Sequence, residues 1–428
     1  MNMKQWLIQP QQKLGPLGLV VLLVVSSLVT PLSLDMYTPA VPHMAELFET
    51  SAGMVNLTLV GYFLFFAVGL LLFGPVSDRY GRRPVLLAGV LVYTIGSAFC
   101  ALSLDIWMLI FFRVVQALGA GAISAVATAI VKDAFVPEKR AAILSVVQIM
   151  FVIGPVLAPF LGALIMQMVN WRMTFVALGA VGVGCCTLAV MFEETLPVEK
   201  RLGGTVFGSL GRLGVVARNK GFASFLGIVG LFNLPFMAYI AVGSYIYISF
   251  FGLSEIEYSL YFAAAALLTA AGPVIWLKAS KYISARRFTT IMLMVAFGSG
   301  VVMLLVGELT PVLFCLTFLV FAMTEACVRP YSTDILLSQQ ESDAGAVSSL
   351  INFTHTAIGC VGMALAVLPW SNYVVGVGML VVVTMAFAGV CWIVLLRSRI
   401  LLPGIKSNVR EMPVEKVGPD ASMQDRAQ

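Results

Sequence analysis

A chain of 428 residues that is 60% hydrophobic and only 11% charged, with a mean hydropathy of +0.97, carries more apolar surface than a water-soluble domain tolerates. That balance excludes a soluble enzyme, and the formal charge of +5 is explained by where the basic residues fall rather than by a nucleic-acid partner. Twelve helical spans of about 20 residues would use roughly 240 positions and fit the length, so an all-α membrane protein in contact with the lipid bilayer is expected.

The first apolar run, Gly15 to Ser33, follows Lys4 and Lys13, and its length and lack of a small-residue cleavage site argue for a span rather than a secretory signal. Spans are expected near residues 16 to 38, 54 to 76, 84 to 103, 106 to 131, 140 to 168 and 172 to 192. A second set is expected near 222 to 249, 256 to 278, 287 to 307, 311 to 337, 344 to 369 and 372 to 396. Asp35 lies toward the outer end of the first span, in Leu34-Asp35-Met36-Tyr37-Thr38-Pro39-Ala40. Between the second and third spans, Gly74-Pro-Val-Ser-Asp78-Arg79-Tyr80-Gly81-Arg82-Arg83-Pro84 reads as a short cytoplasmic turn. Gly74 and Gly81 are expected to bracket a tight bend and Pro84 to open the next helix. Asp78 is left to cap or pair locally, and Arg79, Arg82 and Arg83 are placed to meet anionic headgroups. The fourth span holds Arg113-Val-Val-Gln116-Ala-Leu-Gly119. The fifth holds Gly154-Pro155-Val-Leu-Ala158-Pro159-Phe-Leu-Gly162, whose Gly154, Ala158 and Gly162 share a helix face suited to close contact.

Residues 193 to 220 carry Glu193, Glu194, Glu199, Lys200, Arg201, Arg212, Arg218 and Lys220 among glycines, a composition no span can hold. They divide a six-helix bundle over 15–192 from a second over 221–398, with a cytoplasmic N-terminus at 1–14. In the second bundle the loop Lys278-Ala-Ser-Lys281-Tyr-Ile-Ser-Ala-Arg286-Arg287 occupies the place of the 74–84 stretch, a partial internal echo. Glu325 and Arg329, four apart in the tenth span, share a face and read either as a neutralised structural pair or as a second proton site. Pro330 follows as a possible kink. His355 falls near the middle of the eleventh span, where it either packs in the core, binds substrate or shares a proton with Glu325. Tyr37, Gln116, Gln148, Asn233, Tyr239 and Asn352 complete the polar and aromatic candidates for a substrate cavity. After Arg399 the tail, residues 399–428, turns polar around Pro403, Pro413 and Pro419 and is expected to be disordered cytosolic chain. The seven cysteines lie in apolar stretches without C-x-x-C spacing, so they read as packing residues and no metal or other cofactor is expected.

Arg113 and Arg329 lie inside spans and Arg172 in an outer loop; every other Lys and Arg falls on one side if both termini are cytoplasmic. Ionisable groups inside spans cost roughly 2.5 to 3.5 kcal/mol each, so each asks for a role. Depth along the helices lets Asp35 and Arg113 approach one another. A carboxyl group in a cavity is pushed toward protonation by desolvation and toward ionisation by a nearby arginine, the cycle that proton coupling needs. Local pairing at a helix end for Asp35, and a structural pair for Arg113, are the alternative readings.

The 74–84 stretch resembles the loop motif G-x-x-x-D-R-x-G-R-[RK]-x of the major facilitator superfamily. The strings D-M-Y-x-P-A at Asp35 and R-x-x-Q-x-x-G at Arg113 resemble the Bcr/CflA branch of the drug:proton antiporters. So do Glu194-Thr195-Leu196-Pro197 and the antiporter motif G-P-x-x-A-P-x-x-G-G, here with Ala163 for the last glycine. Met237-Ala-Tyr239 and Ala344-Gly345-Ala-Val-Ser348-Ser349-Leu match more loosely. The resemblance implies twelve transmembrane helices in two pseudo-symmetric bundles, a bacterial inner-membrane location, and a monomer working by alternating access. It implies proton-coupled export of small, partly hydrophobic compounds of the chloramphenicol or bicyclomycin type. Some relatives carry a second acid two turns before the aspartate; here Ser27 stands there, which turns attention to Glu325. The chain has no G-x-x-x-x-G-K-[ST] loop, so an ion gradient rather than ATP must drive it, and no H-E-x-x-H or nucleophile elbow points to an enzyme. A proton-coupled exporter or importer of a specific metabolite or siderophore is the alternative; a non-transporting receptor would not need Asp35 or Arg113 inside its spans.

Overall fold

The computed structural model describes residues 6–8, 10–201, 214, 216–339, 344–400 and 402–405. In the first half α1 spans Gly15–Asp35, α2 Val41–Leu47, α3 Ala52–Tyr80, α4 Arg82–Ala101, α5 Ile106–Ala134, α6 Pro137–Met168 and α7 Arg172–Met191. In the second, α8 (Lys220–Gly230) and α9 (Asn233–Ser244) make one broken span that ends in a π-helical turn over Tyr245–Phe250. It continues with α10 (Glu255–Thr269), α11 (Gly272–Ala279), α12 (Ala285–Val306), α13 (Pro311–Ser338), α14 (Ala344–Ala366) and α15 (Tyr373–Arg397). Among the described residues twelve segments are long and apolar enough to cross a bilayer, and they coincide with the twelve expected spans to within a few residues, apart from the first, which runs on through α2 to Leu47.

Local chemistry sets the helix starts. Ser51, Asp105, Thr310 and Asn372 each accept a hydrogen bond from the backbone N–H three residues on, and Ser254 with Glu257 forms a reciprocal capping box. Small residues set the closest packing. Gly119 of α5 faces the backbone of Gly89 and Tyr93 in α4, and a Cβ on Gly69 of α3 would lie 3.1 Å from the Gly121 Cα. In the second half Gly359 and Gly362 of α14 press against Asn233, Met237 and the Leu234 backbone of α9.

The two halves meet where α3 packs on α14 and α6 on α10. Four polar links between the halves cluster at one end of the molecule. Asn56 Nδ2 donates to Met363 O at 2.7 Å, Tyr245 Oη to Val41 O at 3.3 Å and Tyr258 Oη to Thr38 Oγ1 at 3.2 Å, while His43 Nε2 sits 3.1 Å from Glu255 Oε1. We call this the latched end. The opposite end carries the α3–α4 turn, and there the chain before α1 is pinned to the first half: Ile8 N donates to Ala134 O and Gln11 Nε2 to Glu193 O.

Just beyond α15 the chain still packs on the bundle. Leu402 and Ile405 are buried and Gly404 lies against Ile335 of α13, because these apolar side chains cover the helix end. The expected disordered tail concerns residues 406–428, which lie outside the described residues, as do 202–213 of the expected linker.

Candidate functional site

Arg113 is fully buried, 0% exposed, at the centre of the first half. Its Nη1 donates to Ser33 O at 2.9 Å and to Gln116 Oε1 at 2.8 Å, and the Gln116 amide donates onward to Ser97 Oγ. Its guanidinium lies 4.2 Å from the Tyr62 ring centroid, 5.3 Å from that of Tyr37 and 5.7 Å from that of Phe175. Such ring faces stabilise a desolvated cation by about 2 kcal/mol each at best, less than burial of a lone charge costs. Nε and Nη2 have no partner, and no carboxylate pairs with Arg113 among the described residues. The expected Asp35–Arg113 pair is therefore absent from this conformation: aromatic rings occupy the space around the guanidinium.

Asp35 ends α1 at the latched end, 6% exposed, and its carboxylate makes no ion pair or hydrogen bond among the described residues. It lies on the same helix face as the accessible Leu17 and Val21, about five turns further on. Tyr258 of the second half bonds Thr38, three residues on, so Asp35 lies beside the seam between the halves. The face is accessible at the turn end and covered at Asp35. The antiporter-motif residues hold it there: Gly154 abuts Pro31, Ala158 is buried and Gly162 meets the Met36 carbonyl, so α6 grips α1 on both sides of Asp35. Pro155 and Pro159 lie inside α6 between those contacts.

In the second half, α13 presents Phe314, Phe318, Glu325 and Arg329 on the face opposite its exposed stripe of Val312, Leu316 and Val320. Phe318 stacks on Tyr239 of α9 at 3.8 Å between centroids. Glu325 is 7% exposed and 3.7 Å from the half-exposed Arg329. His355 is 5% exposed and both its ring nitrogens lack partners, while its carbonyl accepts from Asn233 Nδ2 at 2.6 Å. No hydrogen bond joins His355 to Glu325 among the described residues, so the two groups are not in direct contact in this conformation. Tyr37, Gln116, Asn233 and Tyr239 are buried, whereas Gln148 and Asn352 are exposed, Asn352 on the opposite side of α14 from Val361. No grouping of His, Cys, Asp and Glu suited to a metal ion exists among the described residues.

The turn end departs from expectation in two ways. Gly74 lies inside α3 with nothing within 4 Å of where a Cβ would stand, so it makes no bend; Gly81 alone, at φ 102°, turns the chain. Arg82 does not face headgroups but is buried, donating through Nε to Asp133 at 2.7 Å and through Nη1 to Asp78 and Ser77, both at 2.6 Å. Arg83 Nη2 reaches Val190 O, leaving Arg79 exposed. Glu194 accepts from the backbone N–H groups of Arg82, Arg83, Thr195 and Leu196, a carboxylate at the start of α4.

Residues 23–363 match the family model of the Major Facilitator Superfamily. The chain belongs to that superfamily. It is therefore a multi-pass membrane transporter for small molecules and not an enzyme. It is 27% identical over 81% of its length to an uncharacterised MFS-type transporter YdgK of Bacillus subtilis (strain 168), covering 87% of that protein. It is 33% identical over 58% of its length to a chloramphenicol resistance protein of Pseudomonas aeruginosa, covering 58% of that protein. A multidrug resistance protein MdtL of Citrobacter koseri matches at 34% over 40% of this chain and 44% of its own. The chain thus spans about half the length of these two resistance proteins. In fold it is similar to a bacterial homologue of the human lysosomal transporter Spinster, in an inward-facing and unoccupied conformation, with a TM-score of 0.71 at 17% identity over 89% of this chain and 96% of that one.

Within this superfamily member, sequence reasoning missed Ser33, Tyr62 and Phe175 around Arg113, and Thr38 and Tyr258 across the halves. Asp133, the partner of Arg82, had a signal: an acid at the end of the fourth span, on the same side as the 74–84 turn. The aromatic shell had none, because depth along a helix does not say which faces meet.

Proposed function

We propose that this transporter is a proton-driven antiporter of the bacterial inner membrane that expels small, partly hydrophobic compounds by alternating access, as a monomer with both termini in the cytoplasm. The basic residues gathered on the side of the α3–α4 turn support that orientation, since cytoplasmic loops collect Lys and Arg. On this reading the molecule is closed to the outside at the latched end and accessible from the cytoplasm.

The observation that carries the proposal is Asp35, a buried carboxyl group beside the seam between the halves, with no counter-ion among the described residues. A charge buried without a partner is costly, so an ionised Asp35 opposes the latched state and a neutral one permits it. Losing the proton to the cytoplasm then favours opening outward, and regaining one outside favours closing. Arg113, short of a counter-charge, provides a second reason for Asp35 to move toward the core once ionised. Cargo enters past Gln148 and Asn352 and reaches the deeper layer of Tyr37, Gln116, Asn233, Tyr239 and His355, while Glu325 with Arg329 lines the opposite wall. The Gly81 turn with Asp78, Arg82, Arg83 and Asp133 acts as the inner gate clamp.

A susceptibility panel in a strain stripped of its own pumps tests direction and cargo: the wild-type gene is expected to raise resistance to amphenicol-type compounds. In proteoliposomes, substrate-driven proton flux is expected to vanish in Asp35→Asn while the protein stays folded. Flux that survives this change rejects the proposal.

A further inference from the structure

The residues next to Asp35 form a bridge between the halves. Thr38 Oγ1 donates to Asp35 O at 2.8 Å, closing the backbone turn that follows α1, and the same oxygen accepts from Tyr258 Oη of α10 at 3.2 Å. Two further cross-half contacts land on the next residues, Val41 and His43. The grip of α6 on Pro31 and Met36 leaves this segment little freedom to absorb a change at Asp35 by itself. Tyr62 of α3 and Tyr258 of α10 are the titratable groups near enough to feel the charge of the Asp35 carboxylate, while Arg113 of α5 reaches the backbone of Ser33 instead. His43 and Glu255 are the charged pair on the rim.

We infer that the Tyr258–Thr38 hydrogen bond is the element that transmits the charge of Asp35 to the outer gate. With Asp35 neutral, the phenol serves Thr38 and holds α10 against the end of α1. An ionised carboxylate without a counter-ion has to be solvated, and the water it draws in competes with Thr38 for the phenol, so the bridge is lost. Water entering to solvate the carboxylate then parts the halves. This rests on Asp35 as the proton site, and its test needs no cargo, so it stands or falls separately from the export reading.

Spin labels are placed at Glu46 of α2 and Glu257 of α10, both exposed, in the full chain in nanodiscs, on a background with the native cysteines replaced. Their separation is read by pulsed electron paramagnetic resonance from mildly acidic to mildly alkaline pH. The wild-type background is expected to show one short distance at acidic pH and a growing long component as pH rises. Loss of one hydrogen bond from the closed state moves the opening midpoint down by about half to one pH unit in Tyr258→Phe. Thr38→Val should move it in the same direction, and the double variant no further than Thr38→Val alone, because both remove the same cross-half bond; the Thr38–Asp35 bond that Thr38→Val also removes lies within the first half. Asp35→Asn should stay closed throughout, and His43→Gln should keep the pH dependence. An unshifted midpoint in both Tyr258→Phe and Thr38→Val overturns the inference; so does opening that persists with pH in Asp35→Asn, is lost in His43→Gln, or never occurs in the wild-type background. If Tyr258→Phe does not fold, Thr38→Val alone decides.

Discussion

Arg82 and Arg79, three positions apart, show how little a side chain's charge says about its work. Arg82 is buried against two aspartates and a serine; Arg79 lies exposed with no ion pair among the described residues. Arg82→Ala strands Asp133, whose side chain is mostly covered, and is expected to cost about 3 kcal/mol, read as a lower unfolding temperature in detergent. Arg79→Ala should stay within about 0.5 kcal/mol of the wild type. Sequence alone could list both as basic residues of one motif, and could place Arg113 in the membrane, but the number of partners each would find depends on neighbours from other helices. The three rings around Arg113 come from the turn after α1, from α3 and from α7, far apart in the chain.

At the scale of helices, glycine tells two stories in one chain. Gly162 meets the Met36 carbonyl just past the end of α1, so Gly162→Leu forces α6 away from α1 and should cost about 1 to 3 kcal/mol while also impairing transport. Gly74 sits mid-helix in open space, and Gly74→Ala should be neutral or stabilising by up to about 1 kcal/mol in the same thermal assay. The helix count and span limits were readable because apolar length and capping residues such as Ser51, Asp105 and Asn372 are local signals. The bend assigned to Gly74 was not, because glycine marks either a turn or a contact and the choice lies in what stands opposite. Here nothing does, and the single positive φ at Gly81 suffices for the turn.

For the whole molecule, alternating access demands that the latched end part. Cys360 Sγ of α14 lies 3.9 Å from Val60 O of α3, so the two helices meet here and a short bis-thiosulfonate linker, which attaches through reducible disulfides, should join Val60→Cys to native Cys360. Transport is expected to stop in the linked protein and return on reduction; full activity of the cross-linked form would contradict rocking about this seam. Which end of the molecule is latched was beyond the sequence, since Tyr258 and Thr38 carry no pattern that pairs them across more than two hundred residues. The ends also differ in build. In the first half, Arg82, Asp78, Asp133, Glu194 and Gln11 stitch α3, α4, α5 and the chain ends into one block. Lys278, Lys281, Arg286 and Arg287, at the matching place in the second half, form no ion pair among the described residues. The lobes are thus unequal in stiffness: turnover should flex the second about a nearly rigid first, and amide deuterium uptake should be faster at 278–287 than at 77–87.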